Sequence, residues 1–282
     1  MKIVNLDGYT TNPGDLSWDW LGNYGEYKVY DRTAPEQIVE RAKGADILII
    51  NKSVITAQML ENLPNLKFVG LQSTGYNVID CKAARARNIT VSNIPAYSTT
   101  GVAQLVFAFI LQVADNVSLH SDAVHNGEWC ECPDFCFWKT PLTELDGKTI
   151  GIIGFGSIGR RVAQIANAFG MNVEVFTTHP KPDEYKNVNF VDFDTLLSDS
   201  DFITCHCPLT EKTENLIDKN AIDKMRKNAV VINTSRGPVV NDEDLADALN
   251  SGKIKAAGVD VLRVEPPEKE NPLLHAKNCY IT

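Results

Sequence analysis

The chain has 282 residues, 27 Lys plus Arg against 36 Asp plus Glu, a net charge of −9 and no basic block along its length. That length suits two α/β domains of ordinary size, and the acidic balance argues against nucleic acid and anionic membranes as partners. Met1 runs straight into a strand-like KIVNLDGY, and the longest apolar stretch, Leu105 to Ala114, is interrupted by Gln112 and is too short to span a bilayer, so a soluble, cytoplasmic protein is expected.

Ile3, Val4 and Leu6 open a first strand, and Asp7-Gly8 starts a loop. A helix is expected from Pro35 to Lys43, then the apolar strand Asp46 to Ile50, of the kind buried on both faces of a parallel sheet. Asn51-Lys52-Ser53 leaves its carboxyl end, where ligands of open α/β sheets gather, which makes Lys52 a candidate substrate contact. Helix Thr56 to Asn62 leads to strand Leu66 to Leu71 and the turn Gln72-Ser-Thr-Gly-Tyr-Asn77, whose Gly75 suits backbone N–H groups turned outward to a carboxylate. Helix Asp80 to Arg87 and strand Ile89 to Ser92 complete a first α/β unit. A long helix from Val102 to about Val117 carries apolar residues around most of its circumference and reads as a domain junction and dimer surface. From His120 to Asp146 the sequence is irregular, aromatic and cysteine-rich, and is expected to be a packing or dimerisation arm.

Thr149 to Pro180 then reads as strand, glycine turn, helix and strand. Gly154, Gly156 and Gly159 have the G-x-G-x-x-G spacing that opens a dinucleotide-binding βαβ unit. The first allows the tight turn, the second admits a pyrophosphate to the backbone, and the third lets helix and strand pack closely. Val162, Ile165, Ala166 and Phe169 follow at helical spacing until Gly170. The alternation then resumes: strand Val188 to Val191, a helical turn at Asp194 to Leu197, strand Asp201 to Cys207, helix Lys219 to Arg226, strand Ala229 to Asn233, helix Asp242 to Ser251, strand Ala256 to Val261, and a strand at Asn278 to Thr282.

Seven cysteines, an odd number in a long chain, argue against a disulfide framework. Cys130, Cys132 and Cys136 near His125 lack a usual zinc spacing, and Cys205-His206-Cys207 at a strand end cannot converge on one ion, so no metal is expected and reduced, buried thiols are the expectation. Arg236, after an apolar strand and beside Gly237-Pro238, is placed to clamp a carboxylate. Glu265, followed by two prolines, is a rigid carboxylate of the kind that orients a histidine and raises its pKa.

Several longer segments carry a resemblance: GIIGFGSIGRRVA at 151–163, HCPLTEKT at 206–213, MRKNAVVINTSRGPVVNDEDLADAL at 225–249 and AAGVDVLRVEPP at 256–267. The chain resembles the D-isomer-specific 2-hydroxyacid dehydrogenase family along its whole length. LDGYTTNPGDLSW at 6–18, TGYNVID at 74–80 and PDFCFW at 133–138 point to the glycerate dehydrogenase/hydroxypyruvate reductase group within it. The resemblance implies an α/β fold of two doubly wound parallel-sheet domains with a cleft between them. Residues 1–99 would form a flavodoxin-like substrate domain and residues 100–282 a Rossmann NAD-binding domain.

It implies that Arg236 binds the carboxylate and carbonyl of a 2-oxo acid, that Glu265 pairs with a catalytic histidine, and that Thr74, Gly75 and Tyr76 hold the substrate carboxylate. Ser157 and Ile158 would lie under the pyrophosphate between the glycines. Thr99, Cys207, Thr234 and Asp260 would line the nicotinamide side, with Pro208, Thr213 and Ser235 also at the cofactor. An aromatic near Trp138 would reach a partner subunit's site, consistent with a homodimer. The implied reaction is reduction of hydroxypyruvate or glyoxylate to the D-2-hydroxy acid by hydride transfer.

Two departures from the family pattern stand out. The family's catalytic histidine and its return helix follow a strand matching Asn278 to Thr282, and none of His120, His125, His179, His206 or His275 occupies that place, so both are expected beyond Thr282. Thr177 stands where an NAD-specific site has an acid, so NAD is the expected cofactor and NADP is admitted, with His179 or Lys181 near a 2′-phosphate. Two alternatives remain open at this level: a catalytically idle dinucleotide-binding sensor or scaffold, and another 2-hydroxyacid dehydrogenase specificity.

Overall fold

The structure, a computed structural model, describes all 282 residues and divides into two compact units, Met1–Ser98 and Thr99–Thr282. In the first unit the elements run β1 (Lys2–Asn5), β2 (Glu26–Val29), α1 (Ile38–Ala42), β3 (Ile47–Ile50), α2 (Ala57–Glu61), β4 (Phe68–Leu71), α3 (Cys81–Ala86) and β5 (Thr90–Ser92). The strands form one parallel sheet in the order β2-β1-β3-β4-β5, the flavodoxin-like arrangement. Thr56 and Asp80 cap α2 and α3 by accepting from the amides of Met59 and Ala83, which fixes where each helix begins. Val4, Leu6, Leu48, Ile50 and Val69 fill the core.

Two expectations change here. Strand β2 has no apolar run to announce it: EYKV is an edge strand with Glu26 and Lys28 exposed, which also blunts the edge against further pairing. Strand β3 is fully buried on one face only, at Leu48 and Ile50, because this small sheet does not cover Ile47 and Ile49 completely.

The second unit contains α4 (Thr99–Asp115), α5 (Val117–His125), β6 (Thr149–Ile153), α6 (Ser157–Ala168), β7 (Asn172–Phe176), β8 (Asn189–Phe190), α7 (Phe193–Asp199), β9 (Phe202–Cys205), α8 (Lys219–Lys224), β10 (Val230–Asn233), α9 (Asp242–Ser251), β11 (Ala256–Val259) and β12 (Cys279–Ile281). Its seven parallel strands lie in the order β12-β11-β10-β9-β6-β7-β8. The order reverses between β9 and β6, and their carboxyl ends therefore open a crevice at that switch point. Asp192, Asp218 and Asn241 cap α7, α8 and α9.

Helix α4 begins at Thr99, earlier than expected, and packs inside this unit: Val106, Phe109, Ile110 and Val113 are buried with Ile150, Val162 and Ile232. Gly258 of β11 is what admits it, since a Cβ there would stand 2.5 Å from the Phe109 ring. Most of the apolar residues of α4 are thus core of this unit. The arm is also more regular than expected. It starts with α5, which was hidden because only Ala123 of its nine residues is buried.

All seven cysteines are free thiols, but Cys81, Cys130 and Cys136 are exposed, so burial describes Cys205 and not the arm. No single helix is long and apolar enough to cross a membrane.

Candidate active site

In the first unit the polar segments gather at one sheet edge. Asn51-Lys52-Ser53 follows β3, Gln72 to Tyr76 follows its neighbour β4, and the Gln72 amide donates to the Ile50 carbonyl at 2.8 Å. Thr74 is exposed and donates to the Ile94 carbonyl at 2.9 Å, while Asn93 Nδ2 donates to the Thr74 carbonyl at 2.8 Å. Ser73 closes the turn through the Gly75 carbonyl at 2.9 Å, and Tyr76 points to solvent. Lys52 is exposed, and its ammonium makes no hydrogen bond or ion pair.

In the second unit every expected cofactor residue except Thr99 lies at the carboxyl edge of the sheet. Thr99 sits in the first turn of α4. Gly154 adopts φ +94°, and a Cβ on it would stand 2.8 Å from the Cys207 nitrogen and from the His206 carbonyl. The glycine turn therefore rests directly on the segment leaving β9. Gly159 meets the Gly154 carbonyl in the same way, whereas around Gly156 there is no atom within 4 Å of a Cβ position. Gly156 is the N-cap of α6 and offers no side chain to the helix, which leaves the Ser157 and Ile158 amides at a helix N-terminus facing open space.

That cradle fits a pyrophosphate. At the same sheet edge the Thr234 hydroxyl, just after β10, is buried with no hydrogen-bond partner of its own. When bound, a nicotinamide cofactor supplies or accepts the hydride.

Thr177 follows β7, and its hydroxyl accepts from the His179 amide at 3.4 Å, so the segment leaving β7 presents a neutral hydroxyl where no acid stands. Lys181 is tied to Glu184 at 2.9 Å. Sequence reasoning missed the aromatic clamp behind the glycine turn: Tyr185 and Phe190 meet the Phe155 ring edge-on at centroid distances of 5.1 and 5.5 Å. After β9, the Thr213 hydroxyl donates to the Pro208 carbonyl at 2.6 Å and accepts from the Thr210 amide at 2.8 Å, closing the 208–213 turn.

Arg236 and Glu265 lie on loops that touch each other. A Cβ on Gly237 would overlap the backbone of Leu262 and Arg263, and the Leu262 amide donates to Glu265 Oε1 at 3.3 Å. Asn233, 1% exposed, fixes the arginine loop: its Oδ1 accepts from the Ser235 amide and hydroxyl at 3.1 and 2.8 Å, and its Nδ2 donates to the Arg236 carbonyl at 2.9 Å. Neither this staple nor the close approach of Gly237 to the Leu262 backbone is visible from sequence spacing.

The Arg236 guanidinium is exposed, bonds only the Ser235 carbonyl at 2.7 Å, and has no carboxylate partner. Asp260 accepts from the Thr282 hydroxyl at 2.9 Å. Burial first, and then the charge of Glu265, push its carboxyl above the usual range despite that bond.

No histidine joins Arg236 and Glu265. Burial drives His206 down to about 3, so it is neutral at any working pH, with Nε2 at 2.9 Å from the Thr204 hydroxyl and Nδ1 unpartnered. His120 accepts from the Lys139 amide in the arm, His179 bonds the Thr178 hydroxyl, His275 bonds the Lys269 carbonyl, and His125 ends α5.

Sheet order, glycine turn and donor set define a dinucleotide-binding domain of the Rossmann kind. The family model "D-isomer specific 2-hydroxyacid dehydrogenase, NAD binding domain" matches residues 107–282. A hydroxypyruvate reductase of Blautia hydrogenotrophica is 48% identical over 286 residues, covering 100% of this chain and 89% of that protein. A glycerate dehydrogenase of Methylorubrum extorquens is 39% identical over 89% of this chain and 78% of its own length. Among solved structures, an acyclic imino acid reductase in complex with NADPH and D-Arg superposes with a TM-score of 0.87 at 31% identity, covering 100% of this chain and 89% of its own. The chain belongs to the D-isomer-specific 2-hydroxyacid dehydrogenase family and is an NAD(P)-dependent oxidoreductase of 2-oxo and 2-hydroxy acids.

Proposed function

We propose that the preferred substrate is hydroxypyruvate or glyoxylate, reduced to the D-2-hydroxy acid, with Met1–Ser98 contributing the substrate loops and Thr99–Thr282 the cofactor site. The observation that carries this reading is the unpaired Arg236 guanidinium, held by Asn233 on a loop in contact with that of Glu265. It provides a bidentate clamp for the carboxylate and carbonyl oxygens of a 2-oxo acid and polarises the carbonyl that receives the hydride. Glu265 orients the group that delivers the proton. Lys52 and the turn at Thr74, Gly75 and Tyr76 hold the acid's carboxylate. Thr234, Ser235, Cys207, Pro208, Thr213 and Asp260 line the cofactor, and Thr177 admits NADP beside NAD. The names of the relatives support the substrate choice.

The test is NADH oxidation with hydroxypyruvate, glyoxylate, pyruvate and 3-phosphohydroxypyruvate, with formate oxidation alongside. Highest kcat/KM on either of the first two supports the reading, and a preference for any other acid removes it.

A homodimer is part of the proposal. Val117, Val124, Trp138 and Leu142 border an apolar cavity of about 480 Å³ between α5 and the rest of the arm, and Phe135 is 90% exposed. Sedimentation that returns a monomer at micromolar concentration would remove the dimer.

A further inference from the structure

Asp7 is a buried carboxylate that the reading above leaves without a task. It follows β1, is 4% exposed, and turns both oxygens toward the loop after β3, more than forty residues away in sequence. Oδ1 accepts from the Asn51 amide at 2.8 Å, and Oδ2 accepts from the Lys52 and Ser53 amides at 2.6 and 2.7 Å. Thr10 reinforces the link, donating to the Asp7 carbonyl at 2.8 Å while accepting from Asn51 Nδ2 at 2.9 Å.

We infer that Asp7 is a positioning residue, which fixes the loop so that Lys52 meets the substrate through its ammonium alone. Three consecutive amides converging on one carboxylate are charge-assisted bonds in a site with little water, strong enough to hold a loop that has no regular structure of its own. They also consume the donors. With the amides of residues 51–53 committed to Asp7, this loop has none left for a substrate carboxylate, and the unpaired Lys52 ammonium is what remains. Lys52 and Arg32 border a cavity of about 250 Å³ that also touches Asp7 and Thr10. The Arg32 guanidinium there lies over the Tyr9 ring at 4.1 Å, which leaves the Lys52 ammonium as the unpartnered cation. The inference rests on the proposed contact between Lys52 and the 2-oxo acid.

Asn at position 7 would replace one acceptor by an NH₂ group facing an N–H donor, and the loop would let go. The experiment is binding of hydroxypyruvate to the protein saturated with NAD⁺, where both partners are oxidised and no hydride can move. Calorimetry gives that Kd, the Kd of NAD⁺ and, by scanning, the melting temperature. Asp7→Asn is expected to weaken hydroxypyruvate at least about tenfold with the Kd of NAD⁺ within about twofold of wild type. Lys52→Met should weaken hydroxypyruvate on its own, and the double variant should be no weaker than Lys52→Met alone.

Thr10→Val, at an exposed position, gives a milder loss in the same direction and decides the matter if Asp7→Asn does not fold. Losses that multiply in the double variants, or Asp7 and Thr10 variants that bind hydroxypyruvate as wild type does while Lys52→Met does not, overturn the role of Asp7 alone. Full affinity in Lys52→Met overturns the contact through Lys52 and, with it, the route by which Asp7 acts.

Discussion

Gly237 lies so close to Leu262 that a Cβ would overlap the leucine's carbonyl group. This contact sets the arginine loop against the glutamate loop, and the atoms in the way are backbone, which cannot rotate aside. Gly237→Ala is therefore expected to force the two loops apart, at about 1–3 kcal/mol of stability, and to lower kcat/KM with the 2-oxo acid more than the affinity for NADH. Urea unfolding and NADH titration of the variant check both halves. Unchanged stability would mean the loops yield more easily than this packing implies.

In the proposed reading, cofactor choice turns on Thr177. An acid at the end of the second strand of such a unit hydrogen-bonds the ribose hydroxyls and repels a 2′-phosphate, and here a hydroxyl stands in its place. Thr177→Asp should lower kcat/KM with NADPH by at least about tenfold, or about 1.4 kcal/mol, with NADH affected less. A wild-type preference for NADH above about a hundredfold would contradict the permissive reading.

His206 makes stability depend on acid. Its pKa falls from 6.5 in the unfolded chain to about 3 in the folded one because burial penalises the charged ring. Between those values the unfolded chain binds the extra proton, so stability is lost as pH falls from about 6.5 toward 3. At pH 5 the loss relative to pH 7 is about 2 kcal/mol from this group. Urea melts at both pH values should show a smaller drop in His206→Gln than in wild type. An equal drop would place the acid sensitivity elsewhere.

Much of this was legible in the sequence because the signals were local. Glycines at fixed spacing and apolar runs ending at turns each act within a few residues. Strand β2 and helix α5 were not legible, since each is largely exposed: β2 alternates polar and apolar over only four residues, and α5 buries only Ala123. Arg236 could be singled out by its place after an apolar strand. Asn233, which holds its loop, reads there as one more strand residue, and Asp7 reads as the start of a turn. Their partners become known only once distant or folded-back backbone atoms have been brought to them.

The central claim is that Arg236 holds the 2-oxo acid while it is reduced. It is tested most directly by kcat/KM for NADH oxidation with hydroxypyruvate in Arg236→Gln against wild type. Truncating a charged contact to the substrate costs about 2–5 kcal/mol, so a fall of about thirtyfold to a few thousandfold with NADH affinity retained is the expected result. A fall of less than about tenfold would contradict the account.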